Sequence, residues 1–241
     1  MTSRQSISIS ILRSIAISLL LLALVPTAQA QSSSRRKAEM EKLRQKQIDD
    51  SIPWLRGFQV TTDLVGPIQR AVGSYGQVEA ALRVNLKDKY FPIVELGYGD
   101  ADETDDVTDI QYKSSAPYGR IGVDFNMLKD KHDIYRLYGG LRYALSYFKY
   151  SIKHDDIHDP VWGGNAPYQL DDVKANYHWA EVVVGIDAKI YGPLHMGWSL
   201  RYKRRLIHDE GDDYNNVWYV PGFGKRGDTR LGGTFNIGIE F

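Results

Sequence analysis

From Gly57 to Phe241 the side chains sort with a period of two, and no other feature limits the possible folds of this chain as strongly. Between Ala180 and Ile190 one face carries Ala180, Val182, Val184, Ile186, Ala188 and Ile190, while the other carries Glu181, Gly185, Asp187 and Lys189. Only an extended backbone sends successive side chains to opposite faces in this way. Met196, Trp198, Leu200 and Tyr202 oppose Gly197, Ser199, Arg201, Lys203 and Arg205. Leu231, Phe235, Ile237, Ile239 and Phe241 oppose Arg230, Gly232, Thr234, Asn236, Gly238 and Glu240. Lower-contrast versions run through Val78 to Leu86, Ile121 to Phe125 and Tyr135 to Tyr147, and two weak segments, Phe58 to Val65 and Phe91 to Tyr98, complete the set.

That makes about eight strands, an even number and the smallest that closes a membrane barrel. Short links follow the second, fourth and sixth: Lys87-Asp88-Lys89, Leu128 to Asp133, and Tyr191-Gly192-Pro193. Long ones follow the third, fifth and seventh, at residues 100 to 115, 149 to 177 and 207 to 228, and Gly66 to Ser74 is intermediate. One rim of short turns and one of long loops is the asymmetry of an up-and-down antiparallel transmembrane β-barrel, with the short side periplasmic. The expected fold is all-β, with the barrel over residues 57–241.

A soluble lipocalin-like cup shares the period and reverses the faces. Against it, the charged face holds Gly122, Gly140, Gly185, Gly197, Gly232 and Gly238, as a narrow lumen crowded with long side chains requires. Tyr90, Phe91, Tyr118, Tyr147, Phe148, Tyr177, Trp179 and Tyr191 fall near strand ends, where rings suit the two membrane interfaces. With the charged face inward, Arg83, Arg120, Arg136, Arg142, Lys189, Arg201, Lys203, Arg205 and Arg230 meet Glu79, Asp124, Glu181, Asp187 and Glu240. An eight-stranded interior is only about wide enough for side chains to fill, so the expectation is a plugged polar lumen.

The N-terminus reads as an address. Arg4 and Arg13 precede an apolar run from Ser14 to Val25, and Ala28-Gln29-Ala30 supplies a cleavage site, giving a signal peptide over residues 1–30. Residues 31–56 follow as a polar tail, partly helical, in which only Ala38, Met40, Leu43, Ile48 and Ile52 are apolar before Pro53. On this reading the tail is periplasmic. The chain has 30 basic and 30 acidic residues, so no global field recruits nucleic acid. Cysteine is absent, which excludes disulfides, thiolate metal sites and a lipidated N-terminal cysteine.

The ending Phe235-Asn236-Ile237-Gly238-Ile239-Glu240-Phe241 resembles the assembly signal of outer-membrane β-barrel families. Over residues 57–241 the strand pattern is similar to the OmpX and OmpA-transmembrane class, and most of all to uncharacterised outer-membrane barrel families of this size. The resemblance implies the outer membrane of a Gram-negative bacterium, with outer-membrane lipid and the barrel-assembly machinery as partners. It brings no active site, and no catalytic, cofactor-binding or metal-binding residue is assigned; an extracellular or periplasmic protein partner remains unknown.

Chemistry-bearing candidates are few. The acidic segments Asp100 to Asp106 and His154 to Asp159 carry carboxylates and a histidine pair of the kinds that hold calcium or zinc, but without EF-hand spacing, and surface charge is the simpler reading. His178 and His208, near the outer rim, are candidate bases of a lipid A-modifying enzyme, yet neither has a recognisable Ser and acid. A structural or surface-interaction barrel is the leading reading. Its contact loops would be Pro160 to Gly164 and Trp218 to Phe223, whose aromatics either meet a partner or pack over the barrel mouth.

Overall fold

The structure, a computed structural model, describes residues 35–158, 161–211 and 217–241. The expected signal peptide over residues 1–30 and its expected cleavage site lie outside the described residues. Two units separate at Pro53 and Trp54. In the first, residues 35–51 form a helix, α1, with Met40 and Leu43 exposed.

The second unit opens with β1 (Leu55–Asp63), followed by α2 (Val65–Val72), β2 (Tyr75–Leu86), β3 (Tyr90–Thr104) and β4 (Gln111–Asn126). The long strands β5 (Tyr135–His158), β6 (Asn165–Tyr191) and β7 (Leu194–Asp209) come next. A two-stranded hairpin, β8 (Tyr219–Val220) and β9 (Gly224–Lys225), precedes β10 (Thr229–Glu240). The eight long strands pair antiparallel in sequence order and close through β1 and β10.

Along each strand the faces separate as the period requires. Val94, Leu96, Ile121, Leu141, Val182, Val184, Ile186, Trp198, Leu200 and Leu231 are exposed, whereas Glu79, Glu95, Arg120, Asp124, Arg142, Glu181, Asp187 and Arg201 are buried. A water-soluble cup would have the reverse arrangement. An apolar exterior around a charged interior is favourable only with lipid outside, because ring closure pairs the backbone around the barrel's waist and the charges are kept from the bilayer.

Three expectations need correction. The first link contains α2, because the Asp63 carboxylate accepts the Val65 and Gly66 N–H groups at 3.1 and 3.0 Å and Pro67 falls in the first turn, where its missing N–H costs nothing. β1 therefore ends at Asp63 instead of Val65. The links expected over 100–115 and 149–177 are mostly strand: pairing continues to Thr104↔Gln111 and to His158↔Asn165, which puts His154 and His158 on β5. Beyond the lipid both faces meet water, so the apolar contrast disappears while the hydrogen-bond ladder continues. Finally, Phe91, Tyr118, Phe148, Tyr177 and Trp179 point inward and are buried. The outward rings are Phe58, Tyr90, Tyr98, Phe125, Tyr135, Tyr143, Tyr147, Tyr191, Trp198, Tyr202 and Phe241.

Candidate functional site

The lumen is layered. Near the short-turn rim, His195 from β7 places Nδ1 2.9 Å from Asp187 and Nε2 2.8 Å from Glu240. Arg136 binds both Glu240 oxygens at 2.8 and 2.7 Å and lies over the Phe91 ring, while Gln59 donates to Asp187 at 3.1 Å. Below them Asp88, in the β2–β3 turn, gathers Asn85, Arg56 and His132. Lys87 and Asp88 both adopt left-handed backbone in the three-residue link between paired Leu86 and Tyr90, a turn closed by the Lys89 N–H on the Leu86 carbonyl at 3.0 Å.

The middle layer centres on Glu95. Its carboxylate meets Arg120 at 3.1 Å, Arg142 at 2.9 Å and Arg201 at 2.7 Å, thereby joining β3 to β4, β5 and β7. Glu79 pairs with Arg120 and with Arg201 at 3.2 Å and accepts the Tyr118 hydroxyl at 2.8 Å. Glu181 lies 2.9 Å from Arg120 and accepts the Trp179 indole N–H at 2.6 Å. Asp124 takes Arg83 at 2.9 Å and Arg142 at 2.6 Å. Buried charges are tolerable only in such mutually satisfied sets.

Above that layer the chain supplies its own apolar roof. Val217, Tyr219, Val220 and Phe223, from the loop between β7 and β10, pack against inward Tyr112, Tyr118, Phe148, Tyr150, Tyr177 and Trp179. Tyr112 donates to the Tyr219 carbonyl at 2.7 Å, and Tyr219 donates to the Gly76 carbonyl at 3.1 Å. Arg120 and Lys203 reach up to the Gly222 carbonyl at 2.8 and 2.6 Å, tying roof to charge layer. Gly222 has φ +83° and lies against the Tyr118 ring, a position that admits no Cβ. Glu210 anchors the base of the loop through the Tyr177 hydroxyl and Arg226.

The sequence candidates are distributed unevenly over this frame. Arg83, Arg120, Arg136, Arg142, Arg201 and Lys203 face the lumen with Glu79, Asp124, Glu181, Asp187 and Glu240 as expected, but Lys189 is exposed. Arg205 also turns inward, over the Tyr177 ring and donating to its hydroxyl at 3.2 Å, and reaches Asp228 as well. Sequence reasoning missed Glu95 and His195. Glu95 follows inward Phe91 and Ile93, which hid the polar face of β3. Of the two aromatic loops, 217–223 is buried, whereas Val161 and Trp162 at the β5–β6 tip are 76% and 87% exposed. Pro160 and Asp159 lie outside the described residues.

The remaining candidates are engaged elsewhere. His178 faces outward between Tyr143 and Tyr147, whose hydroxyls lie 2.8 and 3.4 Å from its ring nitrogens, and His208 packs on Tyr177. Asp100 and Asp102 bind Arg70 and Lys113. The N–H groups of Thr108 and Val107 hold the Asp105 carboxyl below the usual carboxylate range. Among the described residues no three His, Asp or Glu side chains converge as a metal site.

Residues 11–241 match the family model described as Domain of unknown function (DUF6048). The sequence matches no curated protein. Among solved structures, the chain is similar to a major outer membrane protein from Thermus thermophilus, with 12% identity, TM-score 0.47, and coverage of 77% of this chain and 99% of that one. It is also similar to Ail, the attachment invasion locus protein of Yersinia pestis, solved with the heparin analogue sucrose octasulfate, with 11% identity, TM-score 0.39, and coverage of 77% and 99%. Neisserial surface protein A shares 11% identity, with TM-score 0.33 and coverage of 78% and 96%. The apolar exterior and charged interior of the present closed barrel are those of a membrane-spanning β-barrel.

Proposed function

The chain belongs to the DUF6048 family, described as a domain of unknown function, and from its geometry we propose a structural or surface-interaction barrel whose lumen is closed to ions. The supporting observation is the three-layer filling of the lumen: the His195 cluster, the Glu95 network and the roof formed by residues 217–223. Ions would need a continuous wet path, and each layer replaces water with paired charge or apolar rings. Exposed business then falls to the outer rim, where β5 and β6 carry Val161 and Trp162 beyond the barrel body.

On this reading residues 1–30 are a signal peptide cleaved after Ala30, residues 31–56 form a periplasmic tail, and the barrel-assembly machinery inserts residues 57–241. Planar-bilayer recording tests the closed lumen. The wild-type protein is expected to show no stable conductance, and a chain lacking residues 217–223 at most a small one. A large, stable wild-type conductance would overturn the proposal. N-terminal sequencing of the exported protein checks the cleavage site.

A further inference from the structure

The barrel wall is incomplete on one side. Because β1 stops at Asp63, its pairing ends at Asp63↔Asn236 with β10 and at Thr62↔Ala80 with β2, although those strands continue outward to Thr229 and Tyr75. Phe58 and Phe241 exchange N–H and carbonyl bonds, so the odd-numbered residues of β10 turn their backbone groups toward β1. At Phe235 the strand is already replaced: its N–H donates to the Asp63 carboxylate at 3.0 Å and its carbonyl accepts the Leu64 N–H at 2.9 Å. By the same period Leu231 and Gly233 turn their backbone groups into the gap, where β1 no longer reaches. α2 occupies that stretch but leans toward β2, with Gly66 against Gln77, Gly76 under Arg70, and Arg70 bonded to Asp100.

Behind the gap lies a cavity of about 320 Å³, walled by α2, the outer half of β10 and the β8–β9 hairpin. Five cations line it, Arg120, Arg201, Lys203, Lys225 and Arg230, and no Asp or Glu does. Arg120 and Arg201 are neutralised from behind by Glu79 and Glu95. Among the described residues the other three make no direct ion pair with a carboxylate, although Glu181 and Glu79 act on Lys203 through space. Buried Lys203 donates only to the Gly222 and Phe223 carbonyls; Lys225 sits over the Trp218 and Tyr75 rings; Arg230 donates to the Lys225 and Arg226 carbonyls. Inward Gly232 leaves the space open, since a Cβ there would only touch the end of the Lys203 side chain. A cavity lined by five cations and no carboxylate favours the arrival of an anion, and several N–H donors around one space suit an oxygen-rich one.

We propose that this cavity binds a phosphate group, admitted through the gap between α2 and β10. Val65, Phe223 and Leu231 flank the same cavity, so the phosphate can arrive on a lipid headgroup as well as free. Only the lipid route depends on the membrane placement described above; the cavity itself does not require a closed lumen.

The test uses the full chain folded in dodecyl maltoside, titrated calorimetrically with inorganic phosphate. It also uses the chain in phosphatidylcholine nanodiscs with or without phosphatidic acid, with retained lipid counted by native mass spectrometry. Two variants accompany the wild type, Lys225→Gln with Arg230→Gln, and Gly232→Leu, each confirmed as folded by heat-modifiable mobility. The first removes charge at the cavity mouth; the second keeps every charge and fills the space. Binding of either probe by the wild type, weakened about tenfold or more in both variants, is expected. Phosphate alone would assign a free anion, and phosphatidic acid alone a headgroup. No binding of either probe, or weakening only in the charge variant, would overturn the site and leave surface attraction.

Discussion

Two seams of the barrel stand at opposite extremes. The β5–β6 ladder runs from Tyr135↔Ala188 to His158↔Asn165, whereas β1–β10 runs only from Gln59↔Glu240 to Asp63↔Asn236. The long seam carries its strands past the apolar band and holds Trp162 out into water. Along the short one, a helix outside and a hairpin inside replace the missing strand. What separates them is where a local stop signal falls. Asp63 and Pro67 start a helix early, whereas β5 and β6 are not turned until the tip before Asn165, where Gly163 and Gly164 adopt positive φ. A barrel can thus be closed around its waist and still have an opening toward one rim.

Amide exchange should show the largest contrast. Leu231 and Gly233 are expected to exchange near the unprotected rate, while the Leu141 and Val182 amides across the long seam are slower by a factor on the order of 10⁴. Equal protection would mean that β10 finds a partner in the gap, and the comparison would collapse. Glu95→Ala comes next, because it leaves Arg120, Arg142 and Arg201 short of a counter-charge; a loss of about 3–5 kcal/mol in urea unfolding is expected. Since that hub ties strands across the lumen, exchange should rise at both seams together.

Asp63→Ala should then cost about 2–3 kcal/mol, because the N–H groups of Val65, Gly66 and Phe235 lose their acceptor. The matching change on the long seam, Ser151→Ala, removes one exposed contact to the Asp172 N–H and should stay within about 0.5 kcal/mol. Gly222→Ala is expected to cost about 1–3 kcal/mol and to red-shift tryptophan emission as the roof loosens; Trp162→Ala at the exposed tip should leave stability unchanged within about 0.5 kcal/mol. The smallest effect belongs to the β3–β4 turn. Its Asp105 carboxyl is held low by the Thr108 and Val107 N–H groups, so its support is full above the ordinary carboxylate pKa and fades as pH falls through the lowered value. Carboxyl NMR should place its midpoint below that of an exposed aspartate.

Much of this was legible in the chain. The alternation in Ala180 to Ile190 and Leu231 to Phe241, the even strand count and the unequal links specified an up-and-down barrel, since period two is a property of the extended backbone itself. The lumen arginines were readable from the charged face, and Glu95 was not, because Phe91 and Ile93 share its side of β3. Aromatic type and strand-end position did not tell inward Tyr177 from outward Tyr147: a ring suits both a membrane interface and a packed roof.

What the sequence determined by itself was local: which backbone is extended, which two faces it has, and where Asp63, Lys87-Asp88 and Gly192 turn it. Only the tertiary structure decided how far each ladder runs beyond the lipid, that residues 217–223 fold inward while 161–164 stay out, and that β1 leaves a gap beside β10. Those outcomes depend on register and on contacts between distant segments, such as Tyr112 with Tyr219 and Phe58 with Phe241, whose partners are fixed only once the sheet closes.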